Sequence, residues 1–217
     1  MNTFKIILGN KNYSSWSLRP WLVLKYTQAA FEEVVIPLYA AETEKEIARY
    51  SPSGKVPVLI DGDATIWDSL AISEYLNEKF PEKNLWPQDS KARATARSIC
   101  AEMHSGFQSL REAMPMNIRK KIQTPTLSKD AQEDVTRITS LWKSCRENFG
   151  KNGQFLFGHF TIADAMHAPI ALRFETYQIP LDPTSRAYVD VLLDFSPLQE
   201  WVQAAKTESW FIPNFEK

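Results

Sequence analysis

The sequence predicts a two-domain protein with an α/β first domain and an all-helical second domain. Short segments rich in β-branched residues, which are typical of strands, occur only in the first third of the chain. From residue 91 onward the apolar residues recur every three or four positions, as they do on the buried face of a helix. A polar stretch bounded by prolines separates the two patterns. We therefore place the domains at residues 1–81 and 91–217, joined by a linker at 82–90.

A strand and a helix begin the first domain. Residues 4–8 are apolar and β-branched, which predicts a central strand. Apolar residues at helical spacing then predict a helix that runs to about Gln28. Proline is tolerated in the first turn of a helix, where the N–H groups lack partners, so Pro20 places the helix start near Ser17. The serines before Pro20 would then lie at the positive end of the helix dipole.

Three more strands and two more helices complete the first domain. Residues 31–37 end in a proline and predict an edge strand, and the polar residues 42–50 predict a helix. Residues 56–60 and 64–67 predict a hairpin around the turn-forming pair Asp61-Gly62, and an amphipathic helix follows. The resulting order, β-α-β-α-β-β-α, predicts a thioredoxin-like domain.

Two long stripes of apolar residues predict two long antiparallel helices at the start of the second domain. Another helix begins at Thr161, where Thr161 and Asp164 form a capping box that we interpret as structural. Both cysteines of the chain, Cys100 and Cys145, fall on the stripes and are predicted to fill the core. The stripes consist of Ala92, Ala96, Ile99, Met103, Phe107, Leu110 and Met114, and then of Ala131, Val135, Ile138, Trp142, Cys145 and Phe149.

Composition and charge exclude several classes of function. With 25 basic and 26 acidic residues, the formal net charge is −1, which gives no field to attract nucleic acid or an anionic membrane. Two cysteines are too few for a disulfide framework, and His159 and His167 do not have metal-ligand spacing. We therefore expect no bound metal. No apolar run is long enough for a signal core or a membrane span, so we expect a cytoplasmic protein.

Two features around the hairpin are suited to binding a small molecule. If the peptide bond between Val56 and Pro57 is cis, its bend presents the Val56 backbone sideways to an extended peptide, although most such bonds are trans. Asp68 and Ser69 stand where the N-terminus of a helix meets solvent, which suits a charged ligand. The alternative for this pair is plain helix capping.

Three serines, Ser14, Ser15 and Ser17, cluster at the start of the first predicted helix. A hydroxyl there can donate a hydrogen bond to a thiolate, and the helix dipole adds a favourable field. Lowering the pKa of a thiol by two units, from about 8.5, requires roughly 2.7 kcal/mol. A charge-assisted hydrogen bond of about 1.5–3 kcal/mol and a dipole contribution of about 0.3–1 kcal/mol supply it. The simpler alternative is a serine-rich N-cap without chemistry.

Two motifs in the first domain resemble the glutathione-binding half of the glutathione S-transferases. Residues 51–59 read SPSGKVPVL, similar to the family pattern N-P-x-G-K-V-P-x-L. Residues 67–76 read WDSLAISEYL and include the family pattern of an acidic residue or Gln, then S-x-A-I-x-x-Y-L. Both motifs occur in the order and at the spacing of the family.

The resemblance implies a glutathione site. The Val56 backbone, before a cis Pro57, would pair with the cysteinyl backbone of glutathione. Asp68 and Ser69 would hold the γ-glutamyl group, and Lys55 would contact a carboxylate.

The resemblance also implies a serine that activates the thiol. Serine-type members place this residue four positions before an arginine of the first helix, which assigns the role to Ser15 ahead of Arg19. Residues 14–19 are also similar to the S-S-C-S-x-R motif of the zeta class, in which the first serine is usually assigned, here Ser14. We favour Ser15 over Ser14. Trp16 stands where zeta enzymes carry Cys, which argues against maleylacetoacetate isomerase activity.

The function implied is conjugation of glutathione, the co-substrate, to a small hydrophobic electrophile in detoxification. The helical domain would supply an apolar pocket for this electrophile, and family members are usually homodimers. A glutathione-dependent isomerase or dehalogenase is one alternative, and a non-catalytic binding or scaffold protein is another. The predicted electrophile pocket consists of Trp16, Met103, His104, Phe107 and Met114.

Overall fold

The computed structural model describes residues 3–216, and their first part is a four-stranded mixed sheet with three helices. In the strand order β2-β1-β3-β4, β1 and β2 are parallel and the other neighbours are antiparallel. This arrangement confirms the thioredoxin-like layout, with the first strand central and the second at an edge. The elements are β1 (Phe4–Gly9), α1 (Ser15–Thr27), β2 (Phe31–Ile36), α2 (Thr43–Ala48), β3 (Val58–Asp61), β4 (Ala64–Trp67) and α3 (Ser69–Lys79).

The sheet buries both of its faces, because side chains along a strand alternate between them. On β1, Ile6 and Leu8 join the main core with residues of α1 and α3. Ile7, between them, packs instead with Ile47 of α2 in a second, smaller cluster. The sheet thus lies between α2 on one side and α1 with α3 on the other.

Helix α1 begins at Ser15, two residues earlier than predicted. Ser14 is its N-cap, since the Ser14 side chain accepts a hydrogen bond from the Ser17 N–H. Pro20 therefore lies beyond the first turn, inside the helix. The prediction used Pro20 to place the start, and it was wrong because the cap at Ser14 outweighs the one hydrogen bond that a proline removes.

The second part of the chain is helical, as predicted, but its first long stripe forms two helices. The chain turns at Gly106 and Phe107, where Phe107 adopts a left-handed φ of 62°. The Arg111 guanidinium donates to the carbonyls of Gly106 and Met103 at this break. The helices are α4 (Ser90–Ser105), α5 (Gln108–Ala113), α6 (Lys129–Phe149), α7 (Ile162–Thr176), α8 (Pro183–Asp194) and α9 (Ser196–Thr207), with 3-10 turns at Pro81–Lys83 and Pro213–Phe215.

Helix α7 is the centre of the helical part. Almost all of its residues are buried, and it packs against α1, α4 and α8. The predicted antiparallel pairing of two long helices is corrected accordingly, since α4 packs chiefly against α7, and α6 packs against α5 and α8. One continuous apolar core runs from the sheet through α1 and α7 to Trp142 of α6 and Trp201 of α9.

Among residues 3–216, no helix combines the length and the apolar character that crossing a membrane requires.

Candidate functional site

A cleft of about 350 Å³ brings together the five residues predicted to contact glutathione. It lies where the loop before β3, the N-terminus of α3 and the end of α4 meet. Trp16 of α1 and His104 of α4 complete its wall. We call it the first cleft, and it is lined by Trp16, Ser53, Lys55, Val56, Pro57, Trp67, Asp68, Ser69 and His104.

The loop before β3 is held in shape by one hydroxyl group. The Ser51 Oγ donates to the Lys55 carbonyl at 2.7 Å and accepts from the Lys55 N–H at 3.2 Å. Gly54 supplies the positive φ of 66° that this turn requires. The peptide bond between Val56 and Pro57 is cis, the conformation in which the Val56 backbone is presented sideways.

Asp68 both caps α3 and faces the first cleft. Its Oδ1 accepts hydrogen bonds from the N–H groups of Leu70 and Ala71, at 2.8 and 3.4 Å. Its Oδ2 lies 3.2 Å from the Nε2 of His104. Asp68 has a positive φ of 53°, a strained conformation for a residue with a side chain. The two interpretations of this residue, cap and ligand contact, are therefore compatible, because each uses a different carboxylate oxygen.

The Ser69 hydroxyl is buried at the N-terminus of α3 and lines the first cleft. It has no hydrogen-bond partner within residues 3–216. Buried polar groups in folded proteins are nearly always paired, so a hydroxyl left over in a cleft indicates a place for a ligand atom.

A second cleft of about 440 Å³ opens on the other side of Trp16, which lines both clefts. It contains the two serines predicted to activate a thiol together with residues of α5, α7 and the segment after α9. Its lining consists of Tyr13, Ser14, Ser15, Trp16, Leu38, Tyr39, Gln108, Arg111, Glu112, Pro115, Met116, Arg173, Asn214 and Phe215.

Four of the five residues predicted to form the electrophile pocket lie elsewhere. Met103, Phe107 and Met114 are buried in the main core and are not on the wall of the second cleft. His104 lines the first cleft. Helical periodicity identifies which face of a helix is buried, and that face packs against α7 or α6 and not against a pocket. Of the five, only Trp16 lines the second cleft, and it lines the first cleft as well.

Ser14 and Ser15 have different hydrogen-bonding roles. The Ser14 Oγ donates to the Ser17 Oγ at 2.8 Å and accepts from the Ser17 N–H at 3.3 Å, so its proton is engaged within the N-cap. The Ser15 Oγ accepts from the Nη2 of Arg173 at 3.4 Å, which leaves the hydroxyl its own proton to donate. Both side chains lie at the positive end of α1.

Two buried arginines, Arg19 and Arg173, and the half-buried Arg111 lie around Ser15 and Trp16. Burial, assisted by the charge of Arg111, lowers the pKa of Arg173 to about 9. Burial also lowers the pKa of Arg19, together with the charges of Arg111 and Arg173. The pKa of Arg111 is lowered by burial as well, although Asp134 acts in the opposite direction. The guanidinium groups of Arg19 and Arg111 lie 4.2 and 5.1 Å from the centre of the Trp16 ring. No ion pair within residues 3–216 joins any of the three to an acidic side chain. The region around Ser15 is therefore strongly electropositive.

The sequence analysis missed several residues of this region. Ser53 and Trp67 belong to the two quoted sequence stretches, so their positions in the first cleft could have been predicted from the motifs. Arg111 and Arg173 gave no such signal, because each occupies an ordinary position in a helical stripe. Within residues 3–216, no three His, Cys, Asp or Glu side chains converge to hold a metal ion.

Comparisons with known proteins agree with this geometry. A family model for the N-terminal domain of glutathione S-transferases matches residues 13–79. Glutathione S-transferase 1 of Dianthus caryophyllus is 37% identical over 152 residues, which cover 69% of each chain. The maleylacetoacetate isomerase of Rattus norvegicus is 33% identical over 175 residues, which cover 78% of this chain and 77% of the relative.

A solved structure shares the fold. A glutathione transferase homolog from Burkholderia, determined with bound glutathione, superposes with a TM-score of 0.72 at 24% identity and covers 95% of this chain and 100% of its own. Both relatives are more than 30% identical to this chain, and each alignment covers more than two thirds of both proteins. The chain therefore belongs to the glutathione S-transferase family.

Proposed function

We propose that the protein is a glutathione transferase in which the Ser15 hydroxyl activates the glutathione thiol. One observation carries the proposal: Ser15 lies in the second cleft, beside Trp16, the residue that separates this cleft from the first. If glutathione binds in the first cleft, its sulfur atom would extend past the Trp16 side chain to reach Ser15.

The contacts to glutathione follow from the first cleft. The Val56 backbone would pair with the cysteinyl backbone of glutathione, and the Asp68 carboxylate would receive its α-amino group. The unpartnered Ser69 hydroxyl and the positive end of α3 would bind its γ-glutamyl carboxylate. Lys55, exposed at the rim, would contact the other carboxylate.

The hydroxyl proton of Ser15 favours this residue over Ser14. Ser15 accepts from Arg173 and would donate to the thiolate, whereas the proton of Ser14 is already engaged with Ser17. The thiol proton leaves to solvent, and the thiolate then attacks an electrophilic carbon. A sulfur–carbon bond forms as the leaving group or the π-electron pair of the electrophile accepts the electrons.

A glutathione-dependent isomerase with an anionic substrate is the second candidate. Arg111 and Arg173 line the second cleft without a carboxylate partner, which suits an electrophile that carries one. The rat relative is named maleylacetoacetate isomerase. Comparing a free acid with its methyl ester as electrophiles separates the candidates, because only an anion site would favour the acid.

The domain limits at 1–81 and 91–217 stay proposals based on the change of sequence pattern, and the homodimeric state stays a proposal based on the resemblance. The domain limits fit a chain in which the proposed glutathione contacts come from the first part and the second cleft draws on α5 and α7.

Ultraviolet difference titration of bound glutathione tests the serine assignment. We expect a thiolate band well below the pKa of the free thiol in the wild type and in Ser14→Ala, and its loss in Ser15→Ala. Loss in Ser14→Ala alone would transfer the role to Ser14. Binding without a thiolate band in all three proteins would refute the serine mechanism, and no binding would favour the scaffold alternative.

A further inference from the structure

Arg19, one turn after Ser15 on α1, is a buried cation without a hydrogen-bond partner. Its side chain is fully buried, and its Nε and both Nη atoms have no partner within residues 3–216. Its guanidinium instead lies over the indole of Trp16, 4.2 Å from the ring centre. A guanidinium does not lose its proton in a folded protein at neutral pH, so the positive charge is present.

Stability does not explain this arrangement. A buried charge with no counter-ion destabilises the fold, and replacing such a residue by an apolar one of similar size often increases stability. Natural proteins tend to keep destabilising groups where function uses them.

The groups around Arg19 leave its charge uncompensated. Arg111 of α5, and Arg173 and His167 of α7, are basic neighbours, and burial keeps the His167 imidazole neutral by lowering its pKa to about 4. The Cys100 thiol of α4 is held neutral as well, since burial raises its pKa well above its ordinary value. Asp68 is the acidic neighbour that faces this group, and its two oxygens are engaged with α3 and His104.

We propose that Arg19 is an electrostatic positioning residue that stabilises the glutathione thiolate beside Ser15 without touching it. Residues three or four apart on a helix share one face, so Arg19 lies on the same face of α1 as Ser15 and Trp16, and it contacts Trp16. Around a buried side chain the field of a charge is screened less than it is in solvent, so it extends further. The charge thus acts only on the ionised form of the thiol, whose proton passes to solvent. The proposal rests on the proposed function.

Two variants separate the charge of Arg19 from its volume. Arg19→Met removes the charge and keeps most of the side chain, and Arg19→Lys keeps the charge. We would titrate the thiolate band of bound glutathione in each variant and measure thermal stability and the dissociation constant of glutathione. Arg97→Met is the matched control, because Arg97 also lies over an indole, that of Trp86 at 5.6 Å, but on an exposed part of α4.

In Arg19→Met we expect the pKa of the bound thiol to rise by about one unit, equivalent to about a tenfold loss of thiolate below that pKa. Its Tm should equal or exceed that of the wild type, and glutathione affinity below the thiol pKa should change little. Arg19→Lys should stay close to the wild type in thiol pKa, and Arg97→Met should match it.

Three results would overturn the proposal. An unchanged thiol pKa in Arg19→Met, with a normal band in the wild type, would refute the role of Arg19 alone. A Met variant that melts lower or fails to fold would show that Arg19 is needed for packing, contrary to the argument from stability. A wild type without any thiolate band would refute the serine mechanism itself, and the role of Arg19 with it.

Discussion

At the scale of single residues, His167 shows how burial controls charge in this protein. Its Nδ1 lies 2.9 Å from the Ala163 carbonyl, and since a carbonyl only accepts, Nδ1 carries the proton. The ring is fully buried in α7 beside Trp142. Burial lowers the pKa of His167 to about 4, although the hydrogen bond to Ala163 acts in the opposite direction.

This depressed pKa predicts a loss of stability in mild acid. In the unfolded chain the imidazole takes up a proton near its ordinary pKa of 6.5, whereas in the folded protein it does so only near 4. As the pH falls from 6.5 towards 4 the unfolded state binds the extra proton, so the free energy of unfolding decreases, by about 2 kcal/mol at pH 5.

Denaturant unfolding at pH 7.5 and pH 5 checks this prediction, because the His167→Asn variant should lose about 2 kcal/mol less between the two pH values than the wild type. His159→Asn, at an exposed position, should behave like the wild type. An identical pH dependence in His167→Asn would contradict the assignment of a neutral histidine.

The same scale shows what a sequence reveals about a site. The sequence analysis selected Lys55, Val56, Pro57, Asp68 and Ser69 through two motifs of a known family, and the hairpin and helix cap of those motifs bring the five residues to one cleft. Arg111 and Arg173 were not predictable, since helical periodicity says which face of a helix is buried and says nothing of a charge placed there.

At the scale of elements, the capping box of α7 connects three parts of the helical region through one side chain. The buried carboxylate of Asp164 accepts from the Thr161 N–H and hydroxyl at 2.8 and 2.9 Å. It also accepts from the Leu156 N–H at 3.1 Å and from the Tyr188 hydroxyl at 3.0 Å. One side chain thus joins the start of α7 to the loop before it and to α8.

We expect Asp164→Ala to lower the free energy of unfolding by about 3–5 kcal/mol, because four buried donors lose their acceptor. The control is Asp182→Ala, which removes an exposed N-cap from α8 and should cost about 1 kcal/mol. Chemical denaturation measures both. Equal effects would mean that water replaces the buried carboxylate.

Element boundaries were the weakest part of the sequence analysis. Phe107 keeps the helical spacing of its stripe while its backbone turns left-handed, so the end of α4 was invisible in the pattern. The start of α1 was misplaced for a related reason: the rule for Pro20 is local, and the hydrogen bonds of Ser14 and Ser17 compensate for it.

At the scale of the whole molecule, the segment after α9 is hydrogen-bonded to residues 10–14, the loop that leads into α1 and its serines. We call these residues the serine loop. The Glu208 carboxylate accepts from the backbone N–H groups of Lys11 and Asn12, at 2.6 and 3.0 Å. Arg119 donates to the carbonyls of Glu208 and Trp210, at 2.6 and 2.8 Å. The order of elements and the two-part architecture were predictable from periodicity, but this long-range fastening was not, because nothing in a sequence pairs positions so far apart.

Removing the fastening should slow catalysis more than it weakens glutathione binding. In Glu208→Ala two charge-assisted hydrogen bonds to the serine loop are lost, and we expect kcat to fall about tenfold, since a loosened loop misplaces Ser15. The dissociation constant of glutathione should change little, because the first cleft does not include this loop. Glu200→Ala, which breaks an exposed ion pair with Lys25, is the control. A proportional loss of binding and turnover would contradict this separation.

The contact between Glu208 and Lys11 also sets an order of assembly during synthesis. These residues are 197 positions apart, so the serine loop leaves the ribosome long before its partner exists. At typical rates of translation the interval is roughly 10–40 s. Within that interval, once His104 has been synthesised, the nascent chain contains every residue of the first cleft, yet its serine loop is unfastened. Under the proposed function, the chain would therefore acquire its capacity to bind the tripeptide before its capacity to activate it.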